Sequence, residues 1–197
     1  MSIDPLDVAT ENDDQKERNS RLNAMVAVSI AIIATFMGIC NVKDGNIVQA
    51  MQMAQVDRND QWAFGQSKSI KSKIFETTAA RLEIDARTSS DPRPLLALAR
   101  EYRAKAAAEE KDKETAFDAA KTAAKSYDDW NLRDDQFDMS ESALSLAISL
   151  FAITALTHKR WLYFVGVVPS VFGIILGLAG LFGWGIHPDA FAKFLGT

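Results

Sequence analysis

Apolar residues along the chain gather into three blocks of about twenty, the length that crosses roughly 30 Å of hydrocarbon at about 1.5 Å per residue. The first runs from Leu22 to Val42, the second from Met139 to Thr157 and the third from Trp161 to Ile186. None has an ionisable side chain at its centre. Glu141 stands at the entrance of the second block, where a carboxylate stays hydrated and escapes the cost of a mid-membrane charge. The pattern predicts transmembrane helices over 22–42, 139–157 and 161–186, with a polar tail at 1–21 and a short tail at 187–197.

Between the first two blocks the pattern changes. From Asn46 to Arg87 the chain is rich in Ala, Gln, Lys, Glu and Met, with Ile47, Met51, Ala54, Ile70, Ile74 and Phe75 among them, and predicts one long helix. Gly65 inside it costs about 1 kcal/mol without ending the helix. Thr88-Ser89-Ser90-Asp91-Pro92-Arg93-Pro94 concentrates turn formers and predicts a hairpin tip. A second helix is expected from near Pro94 to about Tyr127, presenting Leu95, Leu98, Tyr102, Ala106, Phe117, Ala120 and Ala124. Its charged run Glu109 to Glu114 is expected to be solvated or to meet another chain's charges. Whether Asp44-Gly45-Asn46 and residues 128–138 break, hinge or continue the helices is left open. If both continue, residues 43–138 form an extramembrane antiparallel hairpin rising about 60 Å. The expected fold class is an all-α membrane protein with that hairpin between its first and second spans.

Short loops near the membrane decide orientation, through their Lys and Arg. The chain before the first block carries Lys16, Arg18 and Arg21, and the turn between the second and third reads His158-Lys159-Arg160. Three crossings put both on one side, so both are expected in the cytoplasm. The hairpin is then periplasmic, in a bacterial inner membrane; Lys193 in the tail votes weakly the other way. Trp130, Trp161, Tyr163 and Trp184 mark the borders of the second and third blocks, as headgroup-seeking aromatics do. The acid-rich segment before the first block does not resemble a secretory signal, and Ile39 before Cys40 does not suit lipidation, so the block is expected to stay in the mature protein.

All three spans carry small residues at steps of three or four. The first has Ala24, Ala27, Ala31, Ala34 and Gly38; the third has Gly166, Ser170, Gly173, Gly177 and Gly180. The second has Ser142, Ser145, Ser149 and Ala152. Close approach of small residues drives helix association where lipid supplies no hydrophobic force. These stripes serve either packing within one chain or contact between copies, and for copies Gly173 and Gly177 are the favoured residues.

Composition adds little. Hydrophobic residues are 48% of the chain, and 26 acids against 22 bases give a net charge of −4, with the bases dispersed, which argues against a nucleic-acid surface. One cysteine excludes an internal disulfide and a cysteine metal cluster. His158 and His187 lie at span borders without ligand spacing, and Asp128, Asp129, Asp134, Asp135 and Asp138 do not match a calcium loop. No phosphate loop, nucleophile elbow or intramembrane acid-base pair is present, so neither an enzyme nor a cofactor or metal is expected.

Asn59-Asp60-Gln61-Trp62-Ala63-Phe64, followed by Gln66, Lys68 and Ser69-Ile70-Lys71, is more distinctive than its surroundings. It resembles the signature of a bacterial membrane family catalogued as domain of unknown function 4337, whose members share a similar Asp-Gln-Trp-Ala-aromatic run. Family members commonly carry another aromatic where Gly65 stands. The resemblance implies one span, a polar helical middle and two closing spans, and no catalytic residue. Trp62 and Phe64 lie too far past the first span for an interfacial belt, so they are expected to need a protein partner, in the returning helix or in another subunit.

The reading is a non-enzymatic membrane scaffold or accessory subunit, a homo-oligomer serving other envelope proteins, with Trp62, Phe64, Gln66, Lys68, Lys71, Gly173 and Gly177 as contact residues. The alternative is a homo-oligomeric pore or transport subunit whose path is lined by Ser145 and Ser149 with Ser142.

Overall fold

The glycines and acids that left helix continuity open do not interrupt it. A computed structural model describes residues 5–186, with side chains from Gln15 to Ile186. Among these residues there are three helices and no strand: α1 (Pro5–Ala86), α2 (Arg93–Thr157) and α3 (Arg160–Phe182). Gly45 lies inside α1, and the acidic stretch 128–138 lies inside α2. Each helix contains a stretch long and apolar enough to cross a membrane. The expectations placed on His187 and Lys193 lie outside the described residues.

The helices divide into two compact units: residues 49–129, and the residues on either side of that segment. The flanking unit holds the three apolar spans. Val26 and Ile33 of α1 meet Leu144, Ala147 and Phe151 of α2 in its core. On α2 the buried residues Phe137, Ser140, Leu144, Ala147, Phe151 and Thr154 form a helical face at alternating steps of three and four, with Gln136 and Met139 buried beside its start. α3 contributes Gly166, Ser170, Gly173, Leu176, Gly177 and Gly180. Side-chain hydrogen bonds within the apolar spans tie helices together here: Ser140 Oγ donates to the Gly173 carbonyl at 2.7 Å, and Ser29 Oγ and Tyr163 Oη lie 3.0 Å apart.

Two chain reversals bound α2. At its start Asp91 accepts from the Arg93 backbone N–H at 3.2 Å, the capping role for which a short carboxylate suits a helix N-terminus. At its end His158 takes the left-handed conformation, φ 53°, and donates its N–H to the Thr154 carbonyl at 2.8 Å. This is the position that glycine usually fills. Gly183 fills the equivalent place after α3, at φ 69°.

The unit of residues 49–129 is a helix pair. Its contacts descend in register, Trp62 with Phe117, Lys68 with Asp112, Ser72 with Ala106 and Phe75 with Tyr102, so the two helices run antiparallel, and the long Arg103 side chain reaches on to Glu83. Small residues fill the seam: Ala54, Ser72, Ala79 and Ala86 on α1, and Ala99, Ala106, Ala116 and Ala120 on α2. Ser72 sits in the seam without cost because its hydroxyl donates to the Ala106 carbonyl at 3.1 Å. The charged run of α2 is solvated at Lys111, Asp112 and Glu114, as expected, and it also meets a cation of its own chain. Lys68 of the same chain, its side chain 14% exposed, reaches Glu109 at 3.0 Å and Asp112 at 2.8 Å. Those hydrogen bonds, to Asp112 first and then Glu109, push the Lys68 pKa up.

Candidate interaction sites

The signature segment splits between the two sides of α1. Trp62 leans on Phe117 with ring centroids 4.6 Å apart, and Gly65 is the reason the ring fits: any side chain there would collide with Phe117. An aromatic residue at that position and the Phe117 ring cannot share the space. Lys68 faces α2, as described, while its ammonium also lies 5.1 Å above the Phe64 ring. Phe64 itself is half exposed, and Gln66, Ile70 and Lys71 point away from α2 into the open. The returning helix therefore gives Trp62 a ring contact but leaves both Trp62, 43% exposed, and Phe64 open on one side.

Gly173 and Gly177 do not face outward, which corrects the expectation of a contact between copies there. A Cβ at Gly173 would stand 2.7 Å from the Leu144 side chain and 3.0 Å from the Ser140 carbonyl. One at Gly177 would stand 2.6 Å from the Phe36 ring. These glycines let α3 close on α1 and α2 within the chain. The small residues left open are those of α1: Ala24, Ala27, Ala31, Ala34 and Gly38 are all exposed, and nothing lies within 4 Å of a Cβ built on Gly38.

Ser145 and Ser149 are exposed on α2, and Ser149 donates to the Ser145 carbonyl at 2.9 Å within its own helix. The serine that crosses to a neighbouring helix is Ser140, which the stripe reading missed. Its signal was its spacing from Phe137, Leu144 and Ala147 on one face. Ser142 sits on the wall of a groove of about 800 Å³ between α2 and α3, lined otherwise by apolar side chains such as Leu146, Leu150, Val168 and Phe172.

At the other end of the same unit, polar groups gather where α1, α2 and α3 meet. Asp44 shares a hydrogen bond with Asp134, and its pKa is pushed up to about 6, by burial first and then by the charges of Asp134, Asp138 and Glu141 together with that bond. Burial also raises Asp134 and Asp138. Gln136, fully buried, donates from Nε2 to the carbonyls of Trp184 at 2.8 Å and Ile186 at 2.6 Å, anchoring the chain after α3. Arg133 lies over Trp130 and against Gly183. Among the described residues no group of three or more acids, histidines and cysteines has the geometry to hold a metal ion.

The molecule is thus an all-helical protein with three helices apolar and long enough for a membrane and a charged helix pair between the first two apolar spans. The family described as Domain of unknown function (DUF4337) matches residues 22–183, and the chain belongs to it. No curated protein and no solved structure shows significant similarity to it.

Proposed function

We propose that this is a non-enzymatic integral membrane scaffold or accessory subunit that assembles from copies of itself, with its N-terminus in the cytoplasm and its helix pair on the periplasmic side of a bacterial inner membrane. One observation carries the self-assembly. Of the apolar stretches, that of α1 is only 17% buried within its own chain, against 33% for α2 and 39% for α3. Its uncovered surface sets a groove of small residues, Ala24 to Gly38, beside a ridge of Met25, Val28, Ile32 and Ile39. A groove that admits a neighbouring backbone next to a ridge that fills the neighbour's groove suits helix association in lipid. The topology is supported by the basic segments, since Arg21 and Arg160 line one groove and so lie at one end of the span unit.

The pore alternative takes second place, because Ser149 spends its hydroxyl on its own helix and the groove beside Ser142 is apolar. The test is the mass of the protein in lipid nanodiscs, wild type beside Ala31→Leu/Gly38→Leu. A defined oligomer that the double variant reduces to monomer, at unchanged helix content, is the expected result. A monomeric wild type overturns the proposal.

A further inference from the structure

Outside the spans α1 carries a second face that the chain does not use. In the unit of residues 49–129, Met53, Val56, Asp60, Ala63, Ser67, Ile70, Ile74, Thr77, Arg81 and Ile84 are all exposed and follow one another at strictly alternating steps of three and four. Lipid does not account for apolar residues on a segment as rich in charge as this one. Yet Val56 is 56% exposed, Ile70 61% and Ile84 61%. The face toward α2 already has its partner along the small-residue seam, and within residues 93–129 α2 offers as large exposed apolar residues only Leu96 and Leu98.

We infer that this face of α1 is a self-association seam along which the α1 helices of several copies lie parallel. The inference deepens the self-assembly reading and rests on it, because copies inserted in one membrane with one topology present α1 in one direction. A repeat of seven residues with two core positions is the supercoil period, and its natural complement is another helix with the same repeat. Here the positions three and four apart fall into two ladders, Met53, Asp60, Ser67, Ile74, Arg81 and Val56, Ala63, Ile70, Thr77, Ile84. The second ladder is β-branched at four of its five places. β-Branched residues in that ladder disfavour a two-stranded coil and favour about three or four strands.

The flanks fit as well. In a parallel coil the residue before the first ladder meets the residue five further on in the neighbour. Those pairs are Gln52 with Asp57, Asn59 with Phe64, Gln66 with Lys71, Lys73 with Thr78 and Ala80 with Asp85. No pair sets like charges together. Phe64, Gln66 and Lys71, exposed residues of the signature, become the edges of the seam, and Ile70 lies in its centre. Asp60, Ser67, Thr77 and Arg81 are polar layers within it, Asp60 and Arg81 each facing their own copies in a parallel coil, and polar core layers set register at the expense of stability.

The test is cross-linking of the full chain in nanodiscs, in a Cys40→Ala background that removes its one native thiol. Val56→Cys, Ile70→Cys and Ile84→Cys should form intermolecular disulfides about tenfold or more faster than Lys105→Cys on α2, since assembled neighbours meet at high effective concentration. Asp60→Ile should raise the cross-linking at Ile70→Cys, and Ile74→Asp should abolish it. If stripe thiols link no faster than the control while the mass remains oligomeric, the seam is overturned and assembly through the spans stands. If Asp60→Ile weakens linking, the face packs on something other than itself and the seam is again overturned. A monomeric mass overturns both readings.

Discussion

A methyl group added at Gly173 meets Leu144 and the Ser140 carbonyl, and one added at Gly38 meets nothing within 4 Å. The same substitution should therefore have opposite consequences on two glycine positions that look alike in sequence. Gly173→Ala is expected to cost about 1–3 kcal/mol through forced repacking, while Gly38→Ala leaves the protomer's stability unchanged, both read by reversible unfolding in mixed micelles. Gln136 gives a second residue-scale case. Its amide holds two backbone carbonyls beyond α3 from a fully buried position. Gln136→Leu should cost about 1–3 kcal/mol by leaving those acceptors unpaired, with faster amide exchange after Phe182 as its local mark. Neither role was visible in the sequence. The spacing of the small residues on α3 was legible, but that Gly173 and Gly177 face inward and not toward a second copy depends on where Leu144 and Phe36 come to rest, a tertiary fact.

At the scale of elements, helix continuity is where local signals ran out. Asp44-Gly45-Asn46 left break, hinge and continuation open, and α1 passes through it, since one glycine costs only about 1 kcal/mol against many flanking helix formers. The carboxyl pair formed between α1 and α2 at that point has a pH consequence. Asp44 holds its proton more tightly in the fold than in the unfolded chain, where a carboxyl titrates near 3.9 or about that value. The stabilisation it supplies is thus complete below about pH 4 and is lost as the pH rises through about 6. Asp134 and Asp138, raised in the same direction, add to the trend. The melting temperature of the span unit should fall between pH 5 and pH 7.5, values either side of about 6, and Asp44→Asn should flatten the profile; a melting temperature that rises over this range contradicts the shared proton. The turn after α2 makes a further case. His158 was read as an interfacial side chain, but its left-handed backbone is what closes the helix. His158→Gly should stabilise by about 1 kcal/mol, provided the loss of a β-carbon outweighs the added freedom of the unfolded chain.

For the whole molecule, the three helical stretches long and apolar enough for a membrane were legible because segregation of apolar residues is a composition signal that needs no partner. The charged helix pair was legible from its two prolines and its helix formers. The pairing of Lys68 with Glu109 and Asp112 was not, because the register of two helices is set by all of their contacts together. Orientation is the remaining global property, and it depends on a few charges. Arg21 and Arg160 line the same groove, so the basic residues before α1 and those at the turn act at one end of the span unit and must agree. Under the proposed orientation the segment that holds Ser89 is expected on the periplasmic side. In right-side-out cells a membrane-impermeant maleimide should label Ser89→Cys and spare His158→Cys, with Cys40→Ala as background. Replacing Lys159 and Arg160 by Gln leaves only the N-terminal bases to hold the orientation, and a mixed population labelled at both sites is expected, because the bias is carried by Lys and Arg near the membrane and not by the long charged segment. Labelling at His158→Cys alone in the unaltered protein would put the helix pair in the cytoplasm and reverse the assignment.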